Sequence, residues 1–304
     1  MKPAPFRYAR PENLREALEI LADGVAGPAD GLTGSDAGGD GVKVLAGGQS
    51  LVPLMALRLV QPEVVVDLER VGELHGIGVI DGALRVGAMT RHETLLTHPL
   101  VSTEAPLLAR AAAHIGHRAI RTRGTLGGSL AHADPVAELP TVSVALEAQI
   151  ELRSAHGERL VPASDFFEGS LTSCVQPDEL VVAVRFPLAT SRRPFGFAEL
   201  ARRHGDFALV LAAVTVSVDG DGGCRAATVA LGGVSPTPVL LGMVGRILIG
   251  TRLRDADINA AVFAASAAVT PTGDLHAGAD YRRAMAVVLL RRALRQARGE
   301  VTPQ

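Results

Sequence analysis

The chain of 304 residues is poor in aromatic side chains and in excess charge. Aromatic residues make up 3 % of it, tryptophan is absent, and the formal net charge at pH 7 is −2. Nucleic-acid-binding proteins usually rely on stacking aromatics or on a basic surface, so this composition argues against a nucleic-acid partner. The chain also lacks an uninterrupted apolar stretch of about 18 residues, so we expect no membrane span.

Cysteine is scarce as well. Cys174 and Cys224 are the two cysteines, and they form no C-x-x-C pair, which argues against a zinc ribbon or an iron–sulfur cluster held by this chain alone. His114 and His117 lie three residues apart among arginines and lack a third ligand, so we expect no metal site. The small number of cysteines and the lack of a signal-peptide-like N-terminus favour a location in the cytoplasm. A single disulfide between the two cysteines is the open alternative to free thiols.

Glycine, by contrast, is abundant, and two short segments concentrate it. Segment 1 is residues 46–50 (Ala-Gly-Gly-Gln-Ser), and segment 2 is residues 125–129 (Thr-Leu-Gly-Gly-Ser). Glycine lets the backbone approach a ligand closely, and consecutive exposed N–H groups bind anions. Segment 1 also lies between a predicted strand at 42–45 and a predicted helix at 51–59. The two segments could hold a diphosphate, but an ordinary glycine-rich connection fits the pattern equally well.

Two other candidate sites are weaker on pattern alone. Residues 48–50 begin like the nucleophile elbow of a serine hydrolase, but the required second glycine is Val52. Asp134 and Glu138 are carboxylates that could accept hydrogen bonds from a ribose or from a ring N–H group. The more common role of such residues is the solvated start of a helix.

Hydrophobic periodicity and turn residues divide the chain into two parts. The first part contains a predicted helix at 11–22, a mobile glycine-rich loop at 24–41 and an Asp-Gly hairpin at 76–86. A helix at 106–120 follows, and then strands at 149–152 and 180–186. After a linker at 191–194, the second part has two long strands, at 208–218 and 224–231, and helices near 256–269 and 281–297. This order predicts a separate α+β domain from about residue 187.

The residues around the two segments make the pattern specific. Residues 46–55 continue segment 1 as far as Met55, and residues 124–135 extend segment 2 through Ala-His-Ala-Asp-Pro. Together with 87–90 (Gly-Ala-Met-Thr) and 202–208 (Arg-Arg-His-Gly-Asp-Phe-Ala), they resemble the FAD-binding medium subunit of molybdenum hydroxylases. The likeness extends over nearly the whole chain and is especially clear to the flavoprotein subunits of carbon monoxide dehydrogenase and xanthine dehydrogenase.

The resemblance implies an α+β fold. Two subdomains of the PCMH (vanillyl-alcohol oxidase) type, at 1–60 and 61–186, would sandwich an extended FAD molecule. A small C-terminal α+β domain of an antiparallel sheet plus helices would occupy 187–304. The loop at 24–41 would be an insertion.

The resemblance also implies which residues contact FAD. Segments 1 and 2 would wrap the diphosphate and the ribityl chain, Ile115 and Val181 would lie near the flavin, and Glu138 stands where relatives often have an aspartate. No residue is expected to be catalytic or to bind metal. The implied cofactor-binding residues are Val44, Leu45, Ala46, Gly47, Gly48, Gln49, Ser50, Leu51, Ile115, Thr125, Leu126, Gly127, Gly128, Ser129, Asp134, Glu138, Leu180, Val181 and Phe207.

Three positions depart from the family pattern. Ser129 replaces an asparagine that many relatives carry, which removes an amide donor but keeps a hydroxyl. Ala198 stands where some xanthine-oxidising relatives have a lysine, which argues against a lysine-assisted NAD reaction. Phe207 replaces a frequent tyrosine, so packing rather than hydrogen bonding is expected there.

The implied function is electron transfer. FAD on this chain would receive electrons from two [2Fe–2S] clusters on a small partner subunit and pass them to an external acceptor. A large subunit would carry the molybdenum cofactor and oxidise the substrate, in a dimer of heterotrimers. A stand-alone flavin oxidase and a non-catalytic assembly protein that has lost FAD are the alternatives.

Overall fold

A small parallel sheet begins the structure, a computed structural model that describes residues 2–26, 40–188 and 193–301. Its strands are β1 (Arg7–Ala9), β2 (Val42–Leu45) and β3 (Val64–Asp67), in the order β1-β3-β2. Helix α1 (Leu14–Ala26) buries its predicted apolar face, including Leu18 and Leu21. It runs past the predicted helix end at 22, and residues 27–39 of the predicted glycine-rich loop lie outside the described residues.

A five-stranded antiparallel sheet forms the second unit. Its order is β4-β5-β10-β6-β7, with β4 (Ile77–Ile80), β5 (Ala83–Gly87), β6 (Gln149–Ser154), β7 (Gly157–Pro162) and β10 (Leu180–Pro187). The predicted Asp-Gly hairpin is confirmed, since Asp81 and Gly82 have φ values of 51° and 73°. Such left-handed pairs match the twist of a two-residue turn.

Short helices pack around this sheet. Two 3₁₀ turns (Leu68–Arg70 and Gly72–Leu74) follow β3, and the pair β8 (Phe167–Gly169) and β9 (Thr172–Ser173) precedes β10. Helix α2 (Leu51–Ala56) lies between β2 and β3 in the chain, and the helices of this unit are α3 (His92–Thr97), α4 (Pro99–Glu104), α5 (Pro106–Ala112), α6 (Arg118–Arg121), α7 (Leu126–His132), α8 (Glu138–Ala145) and α9 (Ala163–Phe166).

The prediction of a single helix over 106–120 is wrong. The chain leaves α5 after Ala112, turns at Gly116 with a φ of 47°, and begins α6 at Arg118. The Arg121 guanidinium donates to the carbonyls of Ile115 and Gly116, at 3.2 and 3.1 Å. These bonds satisfy carbonyls that a continuous helix would have paired internally.

The C-terminal unit is a four-stranded antiparallel sheet covered by helices. The predicted hairpin and the two predicted helices are confirmed, whereas β11, β14 and α10 were not predicted. The elements are β11 (Phe195–Ala201), β12 (Ala208–Val218), β13 (Cys224–Gly232), β14 (Val239–Leu240), α10 (Gly242–Leu248), α11 (Asp255–Ala268) and α12 (Ala279–Val301).

Strand β10 links two of the three hydrophobic cores. Leu180 and Val182 pack with α1 and the small sheet, whereas Val181 and Val184 pack with the helices on the other face. The third core lies between the C-terminal sheet and its helices. The predicted boundary at residue 60 would separate β3 from both of its partner strands. We therefore propose that the first subdomain extends at least to Asp67.

Helix α8 joins the second unit to the C-terminal unit. All eight of its residues are buried, and it packs against β12 and β13. The Thr215 hydroxyl donates to the Ala145 carbonyl at 3.3 Å. A Cβ atom on Gly232 would lie 2.5 Å from the Thr141 hydroxyl oxygen, so the contact needs glycine there. Separately, no helix among the described residues is long and apolar enough to cross a membrane.

We expect Gly196→Ala to destabilise the C-terminal unit by about 1–3 kcal/mol, the usual cost of overpacking. A Cβ atom at Gly196 of β11 would lie 1.9 Å from the Ala293 carbonyl oxygen of α12. Urea unfolding followed by circular dichroism measures the change. Gly78→Ala in β4 is the matched control, since no atom lies within 4 Å of its added Cβ. Equal stability of the two variants would contradict the packing.

Candidate cofactor site

Segment 1 borders a cleft of about 560 Å³ at the carboxyl end of the small parallel sheet. Its walls come from the residue after β1, the end of β2, segment 1, α2, the end of β3 with the turn that follows it, and the residue two positions before segment 2. The lining residues are Arg10, Leu45, Ala46, Gly47, Gly48, Gln49, Val52, Pro53, Asp67, Glu69 and Arg123.

The backbone of segment 1 offers several hydrogen-bond donors in succession. In the described part of the chain, the N–H groups of residues 47–50 make no hydrogen bond. Gly48 has a φ of 73°, a left-handed conformation that glycine adopts without strain. The Ser50 side chain makes no capping bond to α2, so its hydroxyl is also available. This arrangement suits an anionic ligand.

Segment 2 begins close to segment 1. A Cβ atom on Gly47 would lie 2.3 Å from the Arg123 carbonyl oxygen, and one on Gly128 would lie 3.4 Å from the Ala46 Cβ. The first approach is too close for any side chain at position 47. Glycine there lets the two backbones touch.

One part of the prediction for segment 2 is wrong, because it is the first turn of α7 and not an open turn. The N–H groups of residues 126–129 are occupied: Leu126 and Gly127 donate to the carbonyls of Thr90 and Ala88, at 3.0 and 2.8 Å, and Ser129 donates to the Thr125 carbonyl at 3.0 Å. The Gly128 N–H donates to the Thr125 hydroxyl, which caps the helix, at 3.2 Å. Segment 2 therefore supplies shape and hydroxyl groups, and the free N–H donors come from segment 1.

His92, which the sequence analysis missed, holds segment 2 in place. Its Nε2–H donates to the Thr125 carbonyl at 2.9 Å. Burial lowers the pKa of His92 to about 4, so the ring is neutral at pH 7. A Cβ atom on Gly124 would lie 2.7 Å from the ring, so glycine is needed there as well. No pattern in the sequence around His92 indicates this role.

Charged side chains brace the far wall of the cleft. The Asp67 carboxylate accepts from the Tyr8 hydroxyl and from the Glu69 N–H, the latter at 2.9 Å. The Asp67 hydrogen bond and charge raise the pKa of Tyr8. Arg91 donates to the Glu69 carboxylate and to the Arg123 carbonyl. This wall is therefore ordered before any ligand arrives.

The other predicted contact residues lie away from the cleft lining. Ile115 and Val181 are buried in one hydrophobic cluster, whereas Leu180 faces the core beneath the small sheet. Phe207 is 69 % exposed, which leaves its ring free to cover a ligand. Asp134 accepts from the Val136 N–H at 3.0 Å in a local turn before α8, so it does not cap that helix, whose N-cap residue is Ala137. Val44, Ser50 and Leu51 flank the lining residues on β2, segment 1 and α2.

Glu138 is the most perturbed acid of the structure. It begins α8, is 7 % exposed and forms no ion pair in the described part of the chain. Burial raises its pKa to about 8, and the charges of Glu199 and Asp134 add to the effect. At pH 7 the side chain is therefore a neutral carboxylic acid, which can donate a hydrogen bond as well as accept one.

The free energy of unfolding should fall by about 2 kcal/mol between about pH 6.5 and pH 8. In this range folded Glu138 keeps a proton that the unfolded chain releases near pH 4.5, so rising pH favours unfolding. Below pH 6.5 the opposite effect of His92, whose pKa falls from 6.5 to about 4, offsets this loss. Urea unfolding across the range measures it.

Glu138→Gln should remove the fall between about pH 6.5 and pH 8, because an amide does not titrate. Glu168→Gln, at an exposed position on β8, is the matched control and should keep the fall. An unchanged pH profile in Glu138→Gln would contradict a neutral buried acid.

Comparison with known proteins places this geometry in a family. Residues 4–189 match the family described as FAD binding domain in molybdopterin dehydrogenase. Residues 195–297 match the CO dehydrogenase flavoprotein C-terminal domain.

Individual relatives agree over almost the full length. The chain is 38 % identical to the 6-hydroxypseudooxynicotine dehydrogenase complex subunit alpha of Paenarthrobacter nicotinovorans, covering 100 % of this chain and 98 % of that one. It is 34 % identical to the carbon monoxide dehydrogenase medium chain of Afipia carboxidovorans, covering 98 % of each.

Solved structures show the same fold. Carbon monoxide dehydrogenase from Hydrogenophaga pseudoflava superposes with a TM-score of 0.89 at 36 % identity, covering 98 % of both chains. Quinoline 2-oxidoreductase from Pseudomonas putida 86 gives 0.89 at 37 % identity, covering 99 % of both. The resemblance and the fold expected from it are confirmed: the chain belongs to the family of FAD-binding subunits of molybdenum hydroxylases, oxidoreductases related to the carbon monoxide dehydrogenase medium chain.

Proposed function

We propose that this chain transfers electrons from the [2Fe–2S] clusters of a partner subunit, through its own bound FAD, to an external acceptor. The observation that carries the proposal is the run of unpaired N–H groups in segment 1, at the edge of a cleft of about 560 Å³. A dinucleotide diphosphate is the anion that such a run suits, in a family that binds FAD.

The residues of the cleft fit this cofactor. Gly47 and Gly48 would receive the diphosphate on their N–H groups, which have no partner within the described residues. The Ser50, Thr125 and Ser129 hydroxyls would bind the diphosphate or the ribityl chain. Leu45, Ala46 and Gln49 would line the path of the diphosphate and the ribityl chain. Val44 and Leu51 would lie at the two ends of that path.

The ring end would lie among the other predicted residues. Ile115 and Val181 share one apolar cluster that could pack on the flavin, next to Leu180. Phe207 would cover an exposed face, and Asp134 and Glu138 would meet polar edges. The flavin, once bound, supplies the redox chemistry, and the protein supplies binding and electrostatics.

The chain's own chemistry points to partners for the remaining cofactors. Cys174 and Cys224 are free thiols, and the described residues contain no group of three potential metal ligands. The molybdenum cofactor and the clusters would therefore sit on other chains. Relatives are named as a medium chain and as a complex subunit. We propose a large molybdenum subunit and a small iron–sulfur subunit, assembled as a dimer of heterotrimers in the cytoplasm.

Two alternative functions make different demands. A stand-alone flavin oxidase would turn over without partners and would need a base above the flavin, for which the sequence offers no candidate. An assembly protein that has lost FAD would contain no flavin when purified. We also propose that the chain divides into two FAD-binding subdomains and a C-terminal domain, with boundaries after Asp67 and near residue 187.

Purified protein should contain about one FAD per chain, and Gly48→Val and Gly128→Val should abolish its retention. Valine at 48 is strained at a φ of 73°, and a Cβ at 128 would lie 2.8 Å from the Thr125 hydroxyl oxygen. The ratio of flavin to protein absorbance measures retention. Hydrogen exchange of the β12–β13 hairpin should show a C-terminal unit that stays folded.

Gly72→Val is the matched control, since nothing lies within 4 Å of its added Cβ and its φ lies outside the left-handed region that favours glycine. It should retain FAD as the unaltered chain does. A colourless folded protein that takes up no added FAD would overturn the proposal. Unchanged flavin content in both segment variants would instead refute the assignment of the segments.

Expression from the native locus with an affinity tag on this chain should co-purify two further chains. The larger should contain molybdenum and the smaller about four iron atoms, as two [2Fe–2S] clusters require. Metal analysis of each separated chain measures this. Substrate oxidation by the tagged chain alone would favour the stand-alone oxidase.

A further inference from the structure

A buried arginine lies in the first turn of α12. The Arg282 side chain is 5 % exposed, and its Nη2 atom donates to the Asp274 carboxylate at 2.6 Å. Asp274 also accepts from the N–H groups of His276 and Ala277, at 2.8 and 2.9 Å. The Arg282 hydrogen bond above all lowers the pKa of Asp274 to about 2. The carboxylate is therefore charged at neutral pH, and it compensates for a cation that is costly to bury alone.

The same guanidinium binds two backbone carbonyls. Its Nη1 atom donates to the carbonyl of Leu209, near the start of β12, and to that of Gly233, which follows β13, the latter at 3.2 Å. A Cβ atom on Gly233 would lie 2.3 Å from the Leu209 carbonyl oxygen, and its φ of 75° is left-handed, so this position needs glycine. Arg282 thus ties the backbone after β13 to α12.

Gly233 in turn holds the end of α7. Its N–H group donates at 2.9 Å to the carbonyl of Pro135, in the turn between α7 and α8. In the same turn, the carbonyl of Ala133 accepts from the Leu171 N–H group at 3.0 Å. Ala133 is the left-handed C-cap of α7, with a φ of 51°. The end of α7 is therefore attached to two other parts of the chain, one of which is bound by Arg282.

Helix α7 extends this attachment to the cofactor cleft. It has seven residues, so it is about 10 Å long, and its first turn is segment 2. A Cβ atom on Gly128 of that turn would lie 3.4 Å from the Ala46 Cβ of segment 1. Hydrogen bonds to Ala88, Thr90 and His92 fix the start of α7, and the bond from Gly233 fixes the turn at its end.

We infer that Arg282 is a positioning residue of the cofactor site: through Gly233 and Pro135 it holds α7, and with it segment 2, in the position that FAD binding needs. The inference rests on the proposed FAD site. Chains of hydrogen bonds and short rigid helices are the elements that carry coupling between distant sites. The C-terminal unit then takes part in cofactor binding, although among the described residues it contributes none to the lining of the cleft.

Hydrogen exchange of the FAD-free chain tests the attachment. In Arg282→Gln, the N–H groups of residues 126–137 should exchange about tenfold faster than in the unaltered chain, a typical size for coupling between two sites. The shorter amide cannot bind the Asp274 carboxylate and both carbonyls together. Arg282→Lys keeps the charge and should recover part of the protection. Arg283→Gln is the matched control, because its partner Asp280 is exposed and surface ion pairs contribute little.

Titration with FAD, followed by flavin fluorescence, tests the link to the site. Arg282→Gln should bind FAD about tenfold more weakly, whereas Arg283→Gln should bind it as the unaltered chain does. Because coupling is reciprocal, FAD should also slow the exchange of residues 274–282 in the unaltered chain, and this protection should be lost in Arg282→Gln. An arginine that stabilised only its own unit would give no such protection by FAD.

The outcomes separate this inference from the proposed function. If the unaltered chain takes up no FAD, the FAD site itself is wrong, and the inference falls with it. If the unaltered chain binds FAD and Arg282→Gln binds it equally well, only the inference falls. Should Arg282→Gln fail to fold, Asp274→Asn takes its place, since it removes the charge that holds the guanidinium. Equal exchange of residues 126–137 in Asp274→Asn and in the unaltered chain would then overturn the inference.

Discussion

The close approach of two backbones at Gly47 is the constraint on which the rest of the site depends. The Arg123 carbonyl occupies the space that any side chain at position 47 would need. This contact brings the end of a parallel strand against the start of α7, although the two segments are far apart in the chain. With the carbonyl side packed, the N–H groups of segment 1 remain free for a ligand. The absence of a side chain at one glycine therefore permits the contact beside which the cleft and its donors lie.

Hydrogen bonds around α7 make that approach rigid. The first N–H groups of the helix are satisfied by Thr90, Ala88 and Thr125, and a neutral His92 holds the Thr125 carbonyl from the other side. Burial keeps the histidine uncharged, so it adds order without adding a charge near the cleft. Segment 2 contributes shape rather than N–H donors, because the N–H groups of residues 126–129 already make hydrogen bonds within the protein.

Buried acids mark the junction with the C-terminal unit. Helix α8 is enclosed on all sides, so the carboxyl group of Glu138 has little contact with water. Glu199 on β11 is also buried, and no arginine or lysine in the described part of the chain pairs with either acid. The low dielectric of the junction favours the protonated form, which links the packing of two units to one proton.

The amino-acid sequence by itself determined the local elements and the glycine positions. The strand at Val42–Leu45, the Asp-Gly hairpin and the long C-terminal hairpin follow from hydrophobic patterning and turn residues, which act over a few residues. Composition also indicated that metal chemistry belongs to other chains. The motifs around the segments identified the family, because their order along the chain is itself distinctive.

Only the tertiary structure decided which groups are available. Sequence could not show that the N–H groups of segment 2 are occupied, that 106–120 breaks at Gly116, or that β3 completes the first sheet. It also could not find His92, Arg10 or Arg282, whose roles depend on neighbours distant in sequence. Burial and pairing are properties of the folded contacts, and a pattern of residue types does not specify them.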